Sequence, residues 1–318
     1  MKLSLCLQPL YPLGLDKALE AMLELGVDGF ELPVDSKSPL VDLDGLLSGG
    51  AKKLLKKVTS HGLSISAVSN HQEGQLLLGP HHKDTDKVFA GTPAEKVLFA
   101  EERLKKTARL AAELEVNLVV GFVGCEDYTR FFPWPDPKGW ESQIPVFQDR
   151  VGRLLDVFDA LGVNFAHEPH PKQIVYNTET ALESIDFLNG HKRWGFNLDP
   201  ANLLLAGVDP VLFVQELKGR IFHVHAKDGE MVQHNLARSG WLAHGPWDRP
   251  GRGFRFRIPG WGDVPWKRLV SELIMIGYNG YLAIENEDPL FNPIDGLQKA
   301  VNALKPLLPE GSRKDRWW

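Results

Sequence analysis

The sequence has few cysteines, no long apolar run and no excess of positive charge. Its two cysteines, Cys6 and Cys125, are too few for a disulfide framework, which favours the reducing cytoplasm as the compartment. No run of about 18 apolar residues is present, so we expect no membrane span, and the N-terminus lacks the pattern of a signal peptide. The net charge of −5 argues against a general nucleic-acid binder, because phosphate binding requires a basic face.

Strand-like and helical segments alternate along the chain. The 30 glycines and 22 prolines indicate many turns, and 43% apolar residues are too many for a disordered chain. Predicted strands are 2–7, 29–32, 63–68, 118–123, 164–167, 194–198, 221–226 and 280–284. Predicted helices are 14–25, 51–60, 92–115, 141–161 with a break near Pro145, 178–188, 210–217, 264–276 and 293–307. Strands that alternate with helices predict a parallel sheet with right-handed crossovers.

Eight such units predict a single (β/α)8 TIM barrel over residues 1–311, with 312–318 as a C-terminal tail. A doubly wound sheet is the alternative, but the glycine-rich phosphate turn that it requires is absent from residues 8–14. Long connections at 70–91 and 227–263 are expected to be functional. The second is an extended aromatic-rich loop after the seventh strand. Within it, residues 255–258 alternate like a short surface strand, which we favour over an anion-binding arginine group.

Acidic and imidazole side chains recur where the predicted strands end. Four of them follow or end strands five to eight: Glu168, Asp199, His225 and Glu285. Active sites lie at the carboxyl ends of barrel strands, so these side chains are expected to converge. Three carboxylates held together would repel, and a divalent cation removes that cost. Three oxygen ligands and one nitrogen favour Mn2+, with Mg2+, Co2+ or Zn2+ as alternatives.

Further polar side chains are candidates for contact with a substrate: His71, His170, Asn202, Lys227 and Asp228. Lys227 and Asp228 have an alternative role, since they could simply pair with one another. His223 shares a strand face with His225, and we favour a hydrogen-bonded core histidine there over a metal ligand. Cys125 has no cationic neighbour in sequence and is expected to be inert.

Five motifs carry a resemblance to a known family. They are GVNFAHEPHP (162–171), GFNLDPANLLLAGVDP (195–210), GRIFHVHAKD (219–228), RFRIPGWGDVPW (255–266) and GYNGYLAIENED (277–288). Together they resemble the sugar phosphate isomerase/epimerase group of the xylose-isomerase-like barrel superfamily. The resemblance implies one divalent metal held by Glu168, Asp199, His225 and Glu285. Asn202 departs from it, because close relatives often carry histidine at that position.

The resemblance implies an enzyme that acts on a small carbohydrate. Our main hypothesis is a metal-dependent isomerase or epimerase of a ketose or oxo-sugar, in which Glu168 and Glu285 move the proton next to the carbonyl through an enediolate. A lyase that dehydrates an inosose or cleaves a 3-oxo-glycoside through the same enolate is the alternative. A repair nuclease is disfavoured by the charge, and a non-catalytic binding module predicts no turnover. The aromatic tail, Trp317 and Trp318, is expected to dock on the barrel or on a second subunit.

Overall fold

The computed structural model describes residues 1–309. Within this range, ten β-strands span Lys2–Cys6 (β1), Gly29–Pro33 (β2), Ser64–Asn70 (β3), Leu118–Gly121 (β4), Asn164–His167 (β5), Trp194–Leu198 (β6), Ile221–Ala226 (β7), Asp228–Met231 (β8), Phe254–Arg257 (β9) and Tyr281–Ile284 (β10). The α-helices span Gly14–Leu25 (α1), Leu43–Gly45 (α2), Ala51–Ser60 (α3), Pro93–Glu113 (α4), Ile144–Ala160 (α5), Thr178–Phe187 (α6), Pro200–Leu205 (α7), Pro210–Glu216 (α8), Gln233–Ser239 (α9), Trp266–Met275 (α10) and Pro293–Leu304 (α11). Among the described residues, no helix is long and apolar enough to cross a membrane.

Eight of the strands close into a parallel barrel. The order around it is β1, β2, β3, β4, β5, β6, β7 and β10, and β10 pairs with β1 to complete the ring. The predicted (β/α)8 barrel is therefore confirmed. The remaining strands, β8 and β9, form an antiparallel hairpin outside the ring. The predicted tail at 312–318, with Trp317 and Trp318, lies outside the described residues.

Three parts of the structure differ from the predicted elements. The predicted break near Pro145 is a change of helix type, since a 3-10 turn at Glu141–Gln143 is followed by α5. Pro145 lies in the first turn of α5, where a proline costs no hydrogen bond. The helix α7 was not predicted; Asp199 caps its N-terminus and accepts hydrogen bonds from the backbone N–H groups of Ala201 and Asn202. The long connection after β7 contains the hairpin and α9, so it is a folded excursion, and the predicted strand at 255–258 is its second arm.

The alternation of side chains along β5 shows how the strands direct residues to the site. Phe165 and His167 point outward and pack on Trp194, with ring centroids at 5.8 and 5.3 Å. Ala166 points inward and packs with the apolar side chains of Ala67 in β3 and of Leu118 and Val120 in β4. Because strand side chains alternate with a period of two, Glu168 follows Ala166 on the interior side. The barrel is thus apolar in its lower part and polar at the carboxyl ends of the strands.

Close strand packing predicts opposite effects for two glycine substitutions. A Cβ atom at Gly121 in β4 would lie 2.5 Å from the backbone oxygen of Asn70, whereas at Gly152 in α5 it would meet nothing within 4 Å. We expect Gly121→Ala to lower the free energy of unfolding by about 1–3 kcal/mol through overpacking. Gly152→Ala, the matched control, should raise it by about 0.5–1 kcal/mol through helix propensity. Urea unfolding measures both, and shifts of the same sign would contradict this account of the barrel wall.

Candidate metal centre

The four predicted metal ligands converge at the carboxyl end of the barrel. Glu168, Asp199, His225 and Glu285 each offer one ligand atom, and these atoms lie within 4.8 Å of one another. Glu168, Asp199 and Glu285 directly follow β5, β6 and β10, and His225 lies near the end of β7. The glutamate side chains are 3% and 18% exposed for Glu168 and Glu285, while those of Asp199 and His225 are fully buried. Four consecutive strands of the ring thus deliver one ligand each.

The orientation of His225 tests whether this cluster suits a metal ion. Its Nε2 lies 2.8 Å from the Oε2 atom of Glu31. Nε2 therefore carries a proton and donates a hydrogen bond to that carboxylate. The other nitrogen, Nδ1, has no hydrogen-bond partner and lies 3.0 Å from Glu168 Oε2 and 3.2 Å from Glu285 Oε2. A nitrogen that faces two carboxylates requires positive charge there, which either a proton on Nδ1 or a metal cation between the groups supplies. A divalent ion satisfies all of these groups, so the donor set fits one.

Glu31 is a functional candidate that the sequence analysis did not select, although it lies near the end of the second predicted strand. Its side chain is fully buried, and the Nε2 atom of His223 lies 3.2 Å from its Oε2 atom. Burial would raise the pKa of Glu31, but the imidazoles of His225 and His223 hold it well below its usual value. A buried carboxylate that orients a metal-binding imidazole is a common outer-shell arrangement. His223 lies beside this carboxylate, and His225 is the imidazole that faces the three other carboxylates.

The carboxylate of Glu168 is held by three side-chain donors. Its Oε2 atom lies 3.2 Å from His71 Nε2 and accepts a 2.8 Å hydrogen bond from Asn197 Nδ2. Its Oε1 atom accepts a 2.8 Å hydrogen bond from the Nδ2 atom of Asn202, which also lies 2.6 Å from Asp199 Oδ2. Asn202, a predicted substrate contact, therefore bridges two predicted metal ligands and fixes their spacing.

Lys227 brings a positive charge into the same cluster. Its Nζ atom lies 2.9 Å from Glu285 Oε2, 3.2 Å from Asp199 Oδ2 and 2.9 Å from Glu287 Oε2. Burial opposes ionisation of Glu285, yet Lys227 and His225 lower its pKa to about 2. Burial, with Glu168 and Glu285 nearby, raises the pKa of Asp199 to about 7 although Lys227 acts in the opposite direction. The raised pKa of Asp199 indicates that, without a metal, the cluster favours a proton on one of its three carboxylates.

Residues 19–307 of the chain match a family model described as a xylose isomerase-like TIM barrel. The chain belongs to the xylose isomerase-like TIM barrel family. A relative matched over 98% of this chain and all of its own length is the uncharacterized protein YfiH of Bacillus subtilis, at 29% identity. The inosose dehydratase of Geobacillus thermodenitrificans is 26% identical over 52% of this chain. The match covers 54% of that enzyme, so the chain spans about half the length of this curated relative.

Several solved structures have the same fold as this chain. The 3-keto-D-glucoside 4-epimerase YcjR of E. coli superimposes with a TM-score of 0.70 at 17% identity, covering 96% of this chain and 99% of that one. IolI, whose structure contains a bound zinc atom, superimposes with a TM-score of 0.68 at 19% identity, covering 96% and 98%. At these identities the likeness shows the fold alone.

The other predicted substrate contacts of this xylose isomerase-like barrel occupy two different places. His71 and His170 both pack on Phe122, with ring centroids at 4.8 and 5.3 Å, and both stay partly exposed. Asp228 differs from the expectation of a substrate contact or a pair with Lys227. Its carboxylate accepts hydrogen bonds from four N–H groups: the backbone of Gly229, Gly260 and Val264, and the indole of Trp266. With both oxygens occupied, Asp228 holds the base of the hairpin.

The contact between Glu31 and His225 predicts that a substitution of Glu31 lowers the affinity of the site for a metal ion. Replacing it by glutamine in the Glu31→Gln variant keeps the shape but removes the charge that holds the proton on His225 Nε2. We expect the affinity for a divalent ion to fall about 10- to 100-fold, as for other outer-shell carboxylates. Titration with Mn2+ and Zn2+ measures this, and Glu20→Gln on the exposed face of α1 is the matched control. Equal affinities in the two variants would show that Glu31 does not position the ligand.

Proposed function

We propose that this protein is a divalent-metal-dependent isomerase or epimerase of a ketose or oxo-sugar that moves the proton on the carbon beside the carbonyl. The observation that supports this most is the placement of two carboxylates, Glu168 and Glu285, around one point. They follow β5 and β10, which are separated by β6 and β7 in the ring, so they approach the shared ligand position from different sides. Two such groups are what removal and return of a proton requires.

The chain's own residues divide this chemistry between them. A bound divalent ion would polarise the substrate carbonyl and lower the cost of negative charge on its oxygen. Glu285 is the more open of the two carboxylates, with 18% of its side chain exposed, and Lys227 favours its ionised form. It is therefore suited to accept the proton. Glu168 is held by His71, Asn197 and Asn202. After taking a proton from the partly exposed His71, whose Nε2 lies 3.2 Å from its Oε2 atom, it would deliver that proton to the opposite face or to the neighbouring carbon, and His71 would regain a proton from solvent.

The proposal predicts that both glutamates are required for proton exchange. We expect Glu168→Gln and Glu285→Gln each to slow exchange of the substrate α-proton with solvent deuterium by at least about 100-fold, because an amide cannot accept the proton. Exchange is followed by NMR with a panel of ketoses and oxo-sugars, on protein whose metal content has been measured. Glu216→Gln, an exposed residue of α8, should behave as the unaltered protein. Exchange that survives both substitutions would refute the two-carboxylate mechanism.

A lyase is the second candidate, and the position of Lys227 favours it. An ammonium group 2.9 Å from the carboxylate of Glu285 could protonate a hydroxyl as it leaves the carbon next to the one deprotonated. The similarity to an inosose dehydratase supports the same reaction. Mass spectrometry of the product separates the two functions: a product of unchanged mass supports the isomerase or epimerase, and a product that has lost water supports the lyase.

We infer Mn2+ as the preferred ion of this site. Three carboxylates and one imidazole form a ligand set dominated by oxygen, which favours Mn2+ over softer ions, while the imidazole disfavours Mg2+. The zinc bound to the structural neighbour IolI makes Zn2+ the competing assignment. Removal of the metal with a chelator should abolish turnover, and readdition of single metals should restore it best with Mn2+. Full activity of the metal-free protein would exclude a metal-dependent reaction.

A further inference from the structure

The part of the folded excursion that joins β8 to β9 contains a polar cavity. It has a volume of about 460 Å³ and is lined by Asn235, Arg238, Ser239, Leu242, Ala243, His244, Arg249 and Gly251. Two arginines and one histidine line it, and none of the lining residues is aspartate or glutamate. This volume is in the range of small-molecule sites. The ionisable side chains that line the cavity are therefore all basic, which favours a negatively charged ligand.

The guanidinium of Arg249 lacks a partner in this cavity. Its Nε atom is buried and forms no hydrogen bond. A buried donor without an acceptor is costly, and such atoms are rare. The side chain passes over Gly245, where a Cβ atom would lie 3.3 Å from Cδ and 3.5 Å from Nε of Arg249. Because Gly245 has no Cβ atom, it leaves room for the arginine. Its φ of 88° also lies in the left-handed region that favours glycine.

Neighbouring contacts fix the shape of the excursion. The Nδ2 atom of Asn235 donates hydrogen bonds of 2.7 and 3.0 Å to the carbonyls of Pro250 and Arg252. Arg252 donates a 2.7 Å bond to the carbonyl of Gly245, and its guanidinium lies 3.9 Å from the ring centroid of Trp247. Burial, and then the positive charge of Arg249, lowers the pKa of Arg252. The guanidinium groups of Arg249 and Arg252 are thus held near each other. No acidic side chain lines the cavity.

We propose that this cavity is a binding site for a phosphate group, carried by a free phosphate ion or by a small phosphorylated metabolite. Arginine offers a planar pair of donors that matches phosphate oxygens, and rotation of the Arg249 side chain on binding would give its Nε atom the acceptor it lacks. Arg238 and His244 line the same space and add positive charge. None of the residues that line the cavity is among the four predicted metal ligands. The site is therefore distinct from the metal centre and does not depend on the proposed reaction.

The test is calorimetric titration of the metal-loaded protein with inorganic phosphate and, in a second arm, with glucose 6-phosphate. We expect saturable binding that weakens at least about 10-fold in Arg249→Gln, because charge-assisted hydrogen bonds are lost. Arg238→Gln, at an exposed residue that should not affect folding, is expected to weaken binding as well. Arg109→Gln, an exposed arginine of α4, is the matched control and should bind as the unaltered protein does.

The outcomes separate the ligand sources and the alternatives. Tighter binding of glucose 6-phosphate supports a phosphorylated metabolite, and equal binding supports the free ion. Binding that is unchanged in both cavity variants but disappears when the metal is removed would assign phosphate to the metal centre and overturn the proposal. Absence of binding at 10-fold above a physiological millimolar level (about 10 mM), or an equal loss in Arg109→Gln, would also overturn it.

Discussion

Negative charge concentrated at the carboxyl end of the barrel is the constraint on which the rest of the site depends. Three carboxylates offer ligand atoms within 4.8 Å of one another together with His225, in a place where water is largely excluded. Ionised groups so close in a region of low polarity repel strongly unless positive charge accompanies them. Lys227, the amides of Asn197 and Asn202, and His71 each contact one or more of these carboxylates. Their placement is explained by this one requirement.

The same constraint extends into the interior of the barrel through His225. Glu31 accepts a hydrogen bond from the Nε2–H group of His225 and thereby fixes which nitrogen faces the three carboxylates. Through this hydrogen bond, Glu31 of β2 determines how the imidazole of His225 on β7 is presented to the metal position. Asp228 has a separate role, since its four hydrogen bonds attach the hairpin to the connection that follows it. The metal centre and the excursion thus have different supports, although Lys227 and Asp228 are adjacent in sequence.

Much of the fold could be predicted from the sequence, because the eight strand–helix units have clear apolar periods and clear ends. The ligand set could be predicted because strand ends meet at one face of a barrel. Glu31 could not be assigned, since a single acid at a strand end has no pattern that distinguishes an outer-shell carboxylate from a solvent-exposed one. Helix α7 escaped notice because its six residues are too few to show a period. The bridging role of Asn202 depends on that short helix, so it became visible only with the fold.

The most direct test of the central claim is a crystal structure of the metal-loaded protein with anomalous diffraction measured at the absorption edge of the added Mn2+. The account predicts a single strong anomalous peak bonded to Glu168, Asp199, Glu285 and the Nδ1 atom of His225, with Nε2 of that histidine still hydrogen-bonded to Glu31. A peak between Glu31 and His223, or the absence of any ion among the three carboxylates at saturating metal, would contradict it.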